Sequence, residues 1–126
     1  MLTVGAGFPG RLGVPQHVLS DVPWERRFTR LDETVALWRQ MWATPKGGGS
    51  FQGSLLRFGQ LPHMTAPFRP GGPPVWLGGG SESALRRIGR LYDGWMPYPP
   101  SAAAYADGLA AERAAGPPRP GASRPR

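Results

Sequence analysis

Apolar residues recur along this chain with two periodicities, which together predict alternating strands and helices. Residues 2–4 and 75–77 are short apolar runs that end in glycines, as expected for strands buried on both faces of a parallel sheet. Between residues 24 and 42, large apolar residues recur at spacings of three and four, which predicts an amphipathic helix. The order strand, glycine loop, helix occurs three times and is typical of an α/β protein.

The long helix is predicted to begin near Asp21, a candidate N-cap, with Pro23 in its first turn. Residues 11–20 before it have no strong pattern and are predicted to form a loop. The apolar stripe of the helix contains three tryptophans, and we interpret it as part of a core rather than as a ligand site. Its members are Trp24, Phe28, Leu31, Val35, Trp38 and Trp42.

The most informative stretch runs from residue 73 to residue 95 and is predicted to form one βαβ unit. After the strand and its glycines, Ser81 is a candidate N-cap, and Glu82 places a negative charge in the first turn, where it suits the helix dipole. Glu82 can also pair with Arg86 one helical turn later. Asp93-Gly94 is typical of a turn before a second strand. The predicted apolar face of the helix consists of Ala84, Leu85, Ile88, Leu91 and Tyr92.

Glycine and proline divide the rest of the chain. Residues 43–72 contain one or the other every few positions and are predicted to form a long excursion with a small hairpin between Phe51 and Phe58. Ser101 is a candidate cap for an alanine-rich helix that ends near Ala115. Residues 116–126 cannot bury a core and are predicted to be a disordered tail, which gives one domain over residues 1–115.

Two roles are open for the glycines at residues 78–80, which are to bind an anion or only to connect the strand to the helix. Glycines let a backbone approach a ligand closely, and the first N–H groups of the following helix point toward whatever lies beyond it, so a phosphate would fit there. The alternative is a tight strand-to-helix connection without a ligand. A Walker A loop is excluded because the chain's single lysine is Lys46, and the spacing of the dinucleotide fingerprint is absent.

Composition narrows the classes of function. The net charge of +7 invites a nucleic-acid interpretation, but the arginines are spread over helices that also hold acidic residues and over the tail, which favours a basic surface. With no cysteine, disulfides and thiolate metal sites are excluded. No apolar run approaches the roughly 18 residues of a membrane span, and no secretory signal is visible, so we expect a cytoplasmic protein that does not enter membranes.

Several segments together resemble the bacterial luciferase-like monooxygenase family of flavin- or deazaflavin-dependent oxidoreductases. "LTVGAGFPG" is similar to the glycine-ended fourth barrel strand of that family, "ERRFTRLDETVALWRQMW" to one of its helices and "FQG" to its hairpin. The most specific match is "PPVWLGGGSESALRRIGRLYDGW". The resemblance covers about residues 2–105 and implies a partial TIM-type (β/α) barrel of about three βα units from its middle.

The resemblance also implies a cofactor, FMN or coenzyme F420, bound at the mouth of the barrel, and a small organic substrate. Phe8-Pro9 stands where deazaflavin-using relatives often place a carboxylate, so no catalytic residue is assigned, and His17 and His63 have no spacing partner for a metal. The cofactor phosphate is expected at Gly78, Gly79, Gly80 and Ser81, and Gly5, Ala6 and Gly7 are expected to line the same mouth.

Three further hypotheses stay open. The chain could be a phosphate-ligand module without turnover, a basic nucleic-acid-binding protein, or a remnant without a stable fold. Because the strand at residues 2–4 has no element before it, we expect a piece of a larger domain. Open sheet edges in such a piece would favour pairing with another chain or self-association.

Overall fold

The computed structural model describes residues 1–7, 13–97 and 101–115, and the predicted tail at 116–126 lies outside them. The chain divides into two compact units, one of Met1–Gly5 with Pro73–Arg126 and the other of Ala6–Gly72. The first contains β1 (Leu2–Val4), β4 (Val75–Gly78), α3 (Glu82–Leu91), β5 (Gly94–Met96) and α4 (Ala102–Ala114). The second contains α1 (Gly13–Leu19), α2 (Arg27–Ala43), β2 (Phe51–Gln52) and β3 (Arg57–Phe58).

Strand β4 is the centre of the first unit. It pairs in parallel with β1 on one side and with β5 on the other, in the order β1-β4-β5. Val75 and Leu77 on this strand are completely buried, as is Ile88 on α3. The predicted βαβ unit is therefore confirmed, and the parallel sheet with its helices confirms the α/β class.

Helix α3 begins where its capping chemistry predicts. The Ser81 side chain accepts a hydrogen bond from the N–H of Ala84 at 3.2 Å, and Glu82 forms the predicted ion pair with Arg86. Ala84, Leu85 and Ile88 are buried, and the amphipathic face is confirmed.

Helix α4 also begins at its predicted cap, because Ser101 accepts from the N–H of Ala104 at 3.2 Å. Its middle is shaped around Trp95 of β5. Tyr105 stacks on the Trp95 ring with centroids 5.4 Å apart and planes 14° apart, and Gly108 lies directly against the same ring. A side chain at Gly108 would overlap the indole, so glycine is a packing requirement here despite its poor helix propensity.

The second unit contains the predicted hairpin. Strands β2 and β3 are antiparallel, with Phe51 opposite Phe58. The Glu33 carboxylate on α2 binds the hairpin turn. It accepts hydrogen bonds from the Ser54 hydroxyl and N–H, both at 2.7 Å, and from the N–H groups of Leu55 at 2.9 Å and Leu56 at 2.8 Å.

These contacts change the acidity of Glu33. Burial alone would raise the pKa of this carboxyl, but the hydrogen bonds from Ser54, Leu56 and Leu55 stabilise its charged form and lower the pKa from 4.5 to about 2. The carboxylate thus holds the turn to the helix while it is ionised.

Two predictions about the start of this unit were wrong. Residues 13–19, within the predicted loop, form α1, in which Val14, Val18 and Leu19 are all exposed. Helix α2 begins at Arg27 and not near Asp21. Asp21 has a φ of 51° and Arg26 a φ of 54°, so the chain turns twice in left-handed conformations before the helix starts.

The apolar stripe of α2 is less buried than a full core. Val35 is 3% exposed, whereas the remaining members of the stripe are half-buried. Trp24 lies before the helix, edge-on to the His17 ring at 4.9 Å, with the Arg27 guanidinium over its face at 3.8 Å.

Replacing Glu33 with glutamine is expected to lower the stability of the chain by about 1 to 2 kcal/mol at pH 7, because a neutral amide accepts fewer and weaker hydrogen bonds. The pKa of Glu33 is lowered in the folded state, so its contribution is complete above about pH 4.5 and is lost as the pH falls toward 2. Thermal unfolding of the unmodified chain and of Glu33→Gln should show that their difference in stability decreases as the pH falls through this range. Glu25→Gln, at an exposed position, is the control, and a gap that is constant with pH would contradict the assignment.

Gly108→Ala tests packing against helix propensity. Propensity alone predicts a gain of about 1 kcal/mol for alanine in a helix. The overlap with the Trp95 ring predicts a loss instead, which we expect to dominate. Thermal unfolding followed by circular dichroism gives the sign directly, and a stabilised variant would show that α4 can move away from Trp95.

Candidate functional site: the glycine loop after strand β4

Parallel pairing brings the carboxyl ends of three strands to one edge of the sheet. Val4 is opposite Leu77, and Gly78 is opposite Met96, so Gly5 and the glycine loop leave the sheet side by side. A Cβ placed on Gly78 would lie 3.6 Å from the Val4 carbonyl oxygen and 3.8 Å from that of Met96. Gly78 is therefore flanked by both neighbouring strands.

The next two glycines differ in what surrounds them. Gly79 has a φ of 148°, and a Cβ there would lie 3.1 Å from the Ala84 Cβ, so both its conformation and its packing favour glycine. Gly80 is exposed, and a Cβ there would meet nothing within 4 Å, as is also true of Gly5. Open space thus lies beside the backbone at Gly80 and Gly5, where a ligand could approach it.

The start of α3 adds hydrogen-bond donors to this loop. Ser81 occupies the N–H of Ala84, while helix geometry leaves the N–H groups of Glu82 and Ser83 without an intrahelical acceptor. The Ser81 hydroxyl also lies 3.1 Å from that of Ser83. Since the Glu82 carboxylate is paired with Arg86, the negative charge in this first turn is partly compensated.

Asp93, Gly94 and Trp95 contact β4 and the loop after it at three successive points. The Asp93 carboxylate accepts from the Val75 N–H at 2.9 Å, and the Asp93 N–H donates to the Val75 carbonyl at 2.9 Å. Gly94 lies against the Trp76 ring, which leaves no room for a side chain. The Trp95 indole N–H donates to the Gly79 carbonyl at 2.6 Å. This tripeptide contacts β4 at its start and middle, and the loop directly after its end.

The structure brings Gly5, Gly78, Gly79, Gly80 and Ser81 together in the first unit. Ala6 and Gly7 belong to the second unit, where Gly7 has a φ of 78° and lies near the His17 ring. Phe8-Pro9 lies outside the described residues.

Sequence reasoning missed the contact of Asp93 with β4 and that of Trp95 with the loop after it. The sequence predicts only a turn at Asp93-Gly94 followed by a strand, and the strand begins at Gly94. Their partners are distant in sequence: Val75 is on β4, and Gly79 is in the loop after it. No local pattern could therefore have indicated these contacts.

No group of three or more potential metal ligands occurs in residues 1–7, 13–97 and 101–115. In the same part of the chain, no helix has the length and hydrophobicity required to cross a bilayer. The His17 ring nitrogen Nδ1 lies 3.2 Å from the Val22 carbonyl oxygen, and His63 is exposed.

Comparison with known proteins agrees with the resemblance. Residues 6–125 match the luciferase-like monooxygenase family. An F420-dependent glucose-6-phosphate dehydrogenase from Nakamurella multipartita is 33% identical over 105 residues, which cover 75% of this chain and 30% of that protein. In fold, the chain is similar to the monooxygenase RslO1 from Streptomyces bottropensis, with a TM-score of 0.69, 16% identity and coverage of 90% of this chain and 33% of the other. The chain thus spans about a third of the length of these relatives.

Alanine substitution should affect stability differently at Gly79 and at Gly80. Gly79→Ala is expected to destabilise the chain by about 1 to 3 kcal/mol, the range for a residue held in a sparsely populated backbone region. Gly80→Ala should change stability little, because its Cβ would enter open space. Thermal unfolding of the two variants side by side checks this difference. Equal losses would mean that the loop conformation differs from the one described.

Proposed function

Since the chain belongs to the luciferase-like monooxygenase family, we propose that it forms part of a flavin- or deazaflavin-dependent oxidoreductase. The proposed role of this chain is to hold the phosphate of FMN or coenzyme F420 at Gly78, Gly79, Gly80 and Ser81. The observation that supports it most is the open backbone at Gly80, next to a capped helix N-terminus.

The fold supports the same proposal. Three strands, each with a helix after it, are consistent with about three βα units of a TIM-type barrel, in which the active site lies at the carboxyl ends of the strands. Among the described strands, β1 and β5 each have one neighbour. We propose that the remaining strands of the barrel pair with these two edges.

The residues of the loop fit a phosphate. Gly80 and Gly5 leave space beside the backbone, and the N–H groups at the start of α3 are suitable donors for an anion. The cofactor would supply the hydride or oxygen chemistry, while this part of the chain binds and orients it. A small organic substrate would then be selected mainly by segments outside this chain.

An equilibrium titration with FMN and with coenzyme F420 tests the proposal. We expect saturable binding by the folded chain, and weaker binding of riboflavin, which has the same ring system without the phosphate. Gly80→Asp places a negative charge in the open space beside the loop and should weaken FMN binding tenfold or more by repulsion. Riboflavin binding by the same variant should change much less.

Gly59→Asp is the matched control, because Gly59 is also exposed with nothing within 4 Å of its Cβ, but it lies in the second unit. Its affinity for FMN should equal that of the unmodified chain. Circular dichroism verifies the fold of each protein. A folded chain that binds neither cofactor, or a chain without helical signal, would contradict the proposal for this chain, whereas equal losses in both aspartate variants would place the anion elsewhere.

A further inference from the structure

We propose that Trp95 is a positioning residue for the phosphate loop, and that its indole N–H determines which face of one loop peptide a bound anion meets. This inference rests on the proposed function, since it concerns the same loop. It adds a residue that lies outside the loop and is not expected to touch the cofactor.

The first step is the hydrogen bond between Trp95 and Gly79. The indole nitrogen lies 2.6 Å from the Gly79 carbonyl oxygen, and Trp95 is only 8% exposed. The bond is part-buried, which reduces the competition of water for the carbonyl. The carbonyl of the peptide between Gly79 and Gly80 is therefore directed toward the interior of the unit.

The second step follows from peptide geometry. In a planar trans peptide, the C=O and N–H groups point in opposite directions. Because the Gly79 carbonyl points to Trp95, the Gly80 N–H points away from it, at the residue where the backbone is exposed and open. An anion in this open space would meet a donor. If the peptide were rotated by half a turn, the same anion would meet a carbonyl oxygen.

The third step is that this peptide needs an external constraint. Both torsions that rotate it belong to glycines, which lack the Cβ that would otherwise restrict the backbone. A Cβ at Gly80 would meet nothing within 4 Å, so there is open space on that side of the peptide. The indole N–H supplies a specific preference for one orientation.

Trp95 itself is held by α4. The Tyr105 ring stacks on it, and Gly108 lets the helix backbone approach the indole closely. Its rotamer is therefore fixed by packing, independently of the hydrogen bond that it donates. This arrangement separates the two functions of Trp95, because a phenylalanine would keep much of the packing and lose the donor.

Trp95→Phe is the test variant, and FMN and riboflavin are the probes. We expect Trp95→Phe to raise the Kd for FMN about tenfold and to change the Kd for riboflavin less than about twofold. A residue that only supports the fold would weaken both ligands together. Trp38→Phe makes the same chemical change on α2 in the second unit and should leave both affinities unchanged.

The outcomes separate this inference from the proposed function. If the unmodified chain binds FMN no better than riboflavin, the phosphate site itself is wrong. If it prefers FMN and Trp95→Phe keeps the whole preference, the role of Trp95 is overturned while the phosphate site stands.

A second measurement does not depend on any variant folding. In the unmodified chain, NMR should show the Trp95 indole proton exchanging with solvent far more slowly than that of an exposed tryptophan, both before and after addition of FMN. Fast exchange before addition would overturn the hydrogen bond. Loss of protection when FMN binds would overturn its role in the bound loop.

Discussion

The first unit depends on β4 having a hydrogen-bonded neighbour on each side. A strand in this position can be apolar on both faces. Val75 and Leu77 on one face are buried completely, and Trp76 on the opposite face is half-buried. The loop that follows must then leave the sheet at a fixed point, between the ends of β1 and β5. The position of the candidate site is thus a consequence of strand pairing, and the glycines determine only how closely a ligand can approach.

The two units secure their loops by the same physical means, with different groups. In the second unit, the Glu33 carboxylate accepts from three successive N–H groups of the hairpin turn. In the first, the Trp95 N–H satisfies a carbonyl of the glycine loop. An acceptor side chain uses up the donors of the turn, while a donor side chain leaves the loop's own N–H groups available. Only the arrangement in the first unit, with a donor side chain, is suited to binding an anion.

The sequence predicted the features that short segments determine. The caps at Ser81 and Ser101, the apolar face of α3 and the hairpin all follow from residues within a few positions of one another. It failed for α1, a short helix whose large apolar residues are exposed, and for the start of α2, where left-handed residues replace a capping side chain. The contact between Trp95 and Gly79 joins residues 16 apart and depends on the sheet register, which the sequence does not specify.

A loop of consecutive glycines has two opposing properties. Without side chains it admits a ligand to the backbone, yet it also loses more conformational freedom than other loops when it is ordered. The tripeptide Asp93-Gly94-Trp95 at the start of β5 helps to order the loop. Asp93 binds the start of β4, Gly94 lets the two strands pack closely, and Trp95 binds the first loop residue, Gly79. The order that the loop needs is therefore supplied by β5 and α4. Side chains that would provide it from within the loop would also occupy the space that the ligand requires.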